Sequence, residues 1–109
     1  MSAAPTATER HDRFRVRPDV QRVAEQYADW VLTSHGVMIN VLLSGFAMLR
    51  LAGSMSRSEY RRAVRDLVAQ SGIPSHDFEI LARCSYETAR YMLLDSGQLN
   101  EADVDGREP

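Results

Sequence analysis

Residues 36–52 read GVMINVLLSGFAMLRLA: twelve of the seventeen are apolar and Arg50 carries the only charge. Plotted at 100° per residue, Val37, Met38, Ile39, Val41, Leu42, Leu43, Phe46, Met48, Leu49 and Leu51 go all the way round the helix. A helix that is hydrophobic on every side needs cover on every side. A chain of 109 residues has few other elements to supply it. The segment therefore calls for the rest of the chain and a second chain, or for a membrane. It is short for a span of about 20 residues, and it contains Asn40, Ser44 and Gly45. We therefore expect a cytoplasmic protein with no membrane contact, one side of whose apolar helix is kept for another chain.

The length fits a single domain. A chain this small buries a limited share of its surface, so a homodimer would add stability. The formal net charge of -2 predicts no general attraction to nucleic acid. All thirteen basic residues are arginine, which reads as codon bias in a GC-rich bacterial genome. The single cysteine, Cys84, permits no internal disulfide and suits a reducing compartment. The first residues, MSAAPTATERHDRFRVRP, lack the apolar core of a secretory signal.

The pattern along the chain predicts an all-α fold, one small domain of four helices in a bundle. Residues 1–17 read as a flexible basic arm, 18–97 as the helical domain and 98–109 as a disordered acidic tail. Pro18 and Asp19 suit a helix start. Val20, Val23, Ala24, Tyr27, Trp30 and Val31 follow at helical spacing, giving an amphipathic helix over about 18–33. Ser34-His35-Gly36 then reads as a break, with a kinked continuation as the other possibility. The apolar helix follows over about 37–53. Ser56-Arg57-Ser58-Glu59 has the form of a capping box, and the helix it opens, about 57–71, should bury Tyr60, Ala63, Val64, Leu67 and Val68. Gly72 and Pro74 stop it. Ser75 is expected to cap a fourth helix over about 76–95, with Phe78, Leu81, Ala82, Ala89, Met92 and Leu93 in one stripe. Glu79, Arg83 and Glu87 run beside it as a charge ladder at i, i+4.

Reaction chemistry finds little support. Nucleophilic catalysis needs a base beside the nucleophile, and Cys84 sits among apolar neighbours where thiols are inert. His11, His35 and His76 lie in an arm, a break and a helix start, with none of the spacing of a metal site. Asp77 and Glu79 read as residues favoured by the helix dipole. Neither an enzyme nor a cofactor is expected. The competing reading is a DNA-binding regulator, because LVAQSGIPSHDFEIL over 67–81 is similar to a helix-turn-helix. Its recognition helix would begin His76-Asp77-Phe78-Glu79, acidic where phosphates and base edges lie. The arginines Arg57, Arg61, Arg62 and Arg65 fall on the preceding helix.

A protein-binding module is the remaining reading. Its contact candidates are Val37, Met38, Ile39, Leu42, Leu43 and Phe46, with methionine suited to irregular partner surfaces. Gly36, Asn40 and Ser44 form a small-residue row that permits close helix approach, within the chain or outside it. By size, composition and the segment HGVMINVLL the chain resembles the small all-helical antiactivators of bacterial quorum sensing, the QslA-like proteins. The resemblance implies a homodimer that grips the ligand-binding domain of a LuxR-type transcription regulator and prevents its dimerisation. Val37, Met38 and Ile39 would then be contact residues.

Overall fold

The computed structural model describes residues 17–100. The arm expected for 1–17, except Arg17, and the tail expected for 98–109, except residues 98–100, lie outside them. The described residues form one small all-α domain of four helices without strands. They are α1 (Pro18–Gln26), α2 (Ser34–Leu51), α3 (Arg57–Ser71) and α4 (Ser75–Asp95), with a 3-10 turn at Trp30–Leu32 between α1 and α2.

Three of the helix ends follow from local chemistry. Ser56 caps α3: its hydroxyl accepts from the Glu59 N–H at 3.2 Å while the Glu59 carboxylate accepts from the Ser56 N–H at 3.1 Å. Gly72 closes α3 at φ +73°, a left-handed conformation that glycine adopts without steric cost. Gly53 does the same just past α2, where the Gly53 N–H reaches Arg50 O and the Ser54 N–H reaches Leu49 O.

Two boundaries differ from expectation. α1 ends at Gln26, and the chain turns through 27–33 before α2 begins at Ser34. Ser34, His35 and Gly36 are thus the first turn of α2, not a break. The break is one extended residue, Thr33 (ψ 157°), whose hydroxyl accepts from the Gly36 N–H at 3.0 Å and caps the helix. Gly36 is glycine because the Trp30–Val31 backbone lies against it. A Cβ there would overlap the Trp30 carbonyl oxygen and lie 2.9 Å from Val31 Cα. At α4 the cap position is Pro74, without a side-chain bond, and Ser75 is the first helical residue rather than the cap.

α2 is the spine. Its N-terminal half packs Ile39 and Leu43 against Leu67 of α3, Ile73 of the connection that follows it, and Phe78 and Ala82 from the start of α4. Its C-terminal half packs Ala47 and Leu51 against Tyr60, Tyr86 and Ala89. α3 therefore runs antiparallel to α2, and α4 runs parallel to it. Phe46 and Val64 touch both clusters. Leu99 folds back on the second cluster, so ordered packing continues past the domain end expected at 97. His35 Nε2 lies 2.9 Å from the Gln70 carbonyl, engaging a terminal oxygen of α3 that has no partner within its own helix.

α1 is held chiefly on α4. Val23 is fully buried, and Asp77 in the first turn of α4 accepts from the Tyr27 hydroxyl at 2.6 Å and from Arg22 Nη2 at 3.0 Å. The Tyr27 hydrogen bond, then that of Arg22, holds the Asp77 carboxyl below its ordinary range. Asp77 stands in the first turn of α4, as its place at a helix start led us to expect. It also ties α1 to α4.

Candidate protein-binding face

The inward arc of α2 carries Gly36, Ile39, Leu43, Ala47 and Leu51, all buried. The opposite arc carries Val37, Met38, Val41, Leu42 and Leu49, whose exposures run from 37% at Leu42 to 65% at Val41. No charged side chain occurs between Gly36 and Leu49. Scattered exposed hydrophobics are normal on a protein surface; here five of them fall on one arc of a single helix. Leu32, 81% exposed, stands out from the 3-10 turn just before α2.

The six contact candidates divide. Val37, Met38 and Leu42 lie on the exposed arc. Ile39 and Leu43 do not: both are at most 1% exposed and form the first core cluster, because α3 and α4 close over that side. They are core residues and cannot meet a partner in the folded chain. Phe46 is half-buried and bridges the two clusters. Val41 and Leu49 belong to the exposed face and were not among the candidates. The signal for them was the i, i+4 series Val37, Val41, Gly45, Leu49.

Gly45 sits in the middle of this face. A Cβ added to it meets nothing within 4 Å. Glycine inside a helix costs roughly 0.5–1 kcal/mol relative to alanine, and among the described residues no contact requires it here. The row Gly36, Asn40, Ser44 lies elsewhere. Gly36 is buried under the 3-10 turn, and Asn40 Nδ2 donates to Gly36 O at 2.9 Å, so that row serves the chain itself.

By length and composition alone α2 is apolar enough to cross a membrane, but its inward arc is the centre of this fold. In α4, Met92 was expected in the buried stripe and is instead 56% exposed, while Ile80 and Tyr86 take core positions. Cys84 is half-buried, and burial, followed by the Glu87 charge, pushes its thiol up. Tyr60 and Tyr86 meet edge to face, with ring centroids 5.8 Å apart, and burial raises the Tyr60 hydroxyl to about 12. Among the described residues no three His, Cys, Asp or Glu side chains converge on one point that could hold a metal ion.

Comparison with protein-family models, with curated proteins and with solved structures finds no match to this chain.

Proposed function

We propose that this chain is a non-enzymatic regulatory protein of the cytoplasm that binds another protein through the exposed face of α2. The observation that carries the reading is the uncharged strip Val37, Met38, Val41, Leu42 and Leu49 with an open glycine at its centre. Gly45 lets a facing helix approach closely, and the branched and thioether side chains around it fill the space on either side. The resemblance to quorum-sensing antiactivators supplies the specific form: a homodimer that occupies the ligand-binding domain of a LuxR-type regulator and stops it dimerising on DNA.

The test is co-purification of the full chain with the ligand-binding domain of a LuxR-type regulator from the same genome. The wild type should co-elute with it in size exclusion and abolish the regulator's DNA retention. Light scattering of the chain alone at micromolar concentration should give about twice 12.3 kDa. Leu42→Asp and Val41→Asp should keep their helical circular dichroism and lose the complex. A buried apolar anchor contributes about 2 kcal/mol, or about 30-fold in affinity. Ile39→Asp serves as the contrast, because it charges the core and should unfold the chain. A folded Leu42→Asp or Val41→Asp that still binds the regulator would overturn the assignment of this face.

A further inference from the structure

α3 and α4 both pack on α2 but diverge from each other, leaving an open groove of about 570 Å³ lined, among the described residues, by these two helices. Its floor is apolar: Val64 and Val68 from α3 are half-buried, and Ala82 from α4 is buried beside them. Its rims are charged. Arg61 and Arg65 stand one turn apart on α3, and Arg83 faces them from α4. The tyrosine pair Tyr60 and Tyr86 adds aromatic surface to the lining.

Among the described residues the side chains of Arg61, Arg65 and Arg83 make no ion pair or hydrogen bond. The ladder expected from Glu79 through Arg83 to Glu87 does not close either. Glu79 is the one carboxylate in the lining, against three guanidiniums. Arginine offers a planar fork suited to carboxylates, and three of them around an apolar floor form a half-built recognition site.

We propose that this groove is a second binding site, for an acidic amphipathic helix of another protein. The floor takes the apolar stripe of that helix, as in other helix-in-groove complexes. Carboxylates recurring at i, i+4 along the ligand match the i, i+4 spacing of Arg61 and Arg65, and one on its other flank reaches Arg83. A nucleic acid would use the rims and leave the apolar floor empty, with Glu79 against its phosphates. A single small carboxylate would leave at least one of the arginines without a partner. The groove shares no residue with the exposed face of α2, so this site does not rest on the function proposed above.

The experiment is fluorescence anisotropy of the full chain with a fluorescein-labelled peptide of about four helical turns. It carries glutamates at i, i+4 beside a leucine stripe, and a second peptide has glutamine at every glutamate. The glutamate peptide should bind and the glutamine peptide should bind about tenfold more weakly or worse. Arg61→Glu combined with Arg65→Glu should lose binding by a similar factor with unchanged circular dichroism. Should that double variant misfold, Arg83→Glu gives the same reading from the other rim. Leu42→Asp should bind the peptide as the wild type does. The proposal is overturned if neither peptide binds, if both bind alike, or if the arginine variants bind as well as wild type. It is equally overturned if Leu42→Asp loses the peptide, which would place it on α2. Retention of a labelled DNA duplex in place of the peptide, lost in the arginine variants, would assign the groove to nucleic acid.

Discussion

Replacing Gly36 by alanine should reverse the usual effect of that change. In an exposed helix interior, glycine to alanine gains roughly 0.5–1 kcal/mol. At Gly36 the new Cβ would overlap the Trp30 carbonyl oxygen and lie 2.9 Å from both Trp30 C and Val31 Cα. Carbon pairs ordinarily rest at about 3.5–4.0 Å, so the 3-10 turn and the first turn of α2 must part by at least about 0.6 Å. Both partners are backbone and no rotamer change relieves the overlap. Overpacking of this kind costs about 1–3 kcal/mol. Parting the segments also strains the Thr33 cap on the Gly36 N–H, a bond of about 1 kcal/mol. Set against the alanine gain, the net loss should be about 2 kcal/mol, or about 10 °C in Tm for a chain of this size. Gly45→Ala is the internal control, since its Cβ enters open space. Measured by thermal unfolding in dilute solution, it should gain about 0.5–1 kcal/mol. In complex with a partner helix seated on α2 the same alanine should weaken binding. A Gly36→Ala protein as stable as wild type would refute the close approach of α2 to the turn. A destabilised Gly45→Ala monomer would show that the face around Gly45 is already occupied.

Asp77→Asn should lower Tm at neutral pH by releasing α1. Because the folded carboxyl sits below its ordinary value of 3.8, its contribution is whole above that value and is lost as pH falls through the lowered one. The gap between the two proteins should therefore shrink in acid, and parallel Tm curves down through this range would contradict the link. Glu59, also lowered by its capping bonds to Ser56, should leave a residual acid slope in the variant. Cys84 should react slowly with a disulfide reagent at neutral pH and rapidly once the chain is unfolded, since burial raises its thiol. Cys84→Ala should cost about 1 kcal/mol and keep any partner; loss of partner binding with unchanged folding would show a working thiol.

Signals that act over a few residues were legible in the sequence. The Ser56–Glu59 box and the Gly72 stop depend on side chains within one turn of the backbone groups they serve. Gly36 was misread because its reason is a close approach of backbone: it marks where the Trp30–Val31 turn folds against α2, and a sequence shows that a glycine is present without showing what touches it. The link made by Asp77 was not legible, since its partners Arg22 and Tyr27 lie 55 and 50 residues away. The division of α2 was hidden for a different one. A helix apolar all round has no amphipathic direction, so periodicity cannot choose between Ile39 and Val41. The packing of α3 and α4 makes that choice. The expected property, an apolar side left open, is present, although two of the residues named for it face the core.

The Asp77 link also sets an order of assembly. α1 leaves the ribosome first, but its docking surface on α4 is not synthesised until some fifty residues later. Until then nine residues starting at a proline lack their chief tertiary partner, and a helix that short does not persist alone in water. α2 and α3, joined by a short connection, can pair as soon as both have emerged. Of the described helices α1 is thus made first, and its docking on α4 should be the last contact to form.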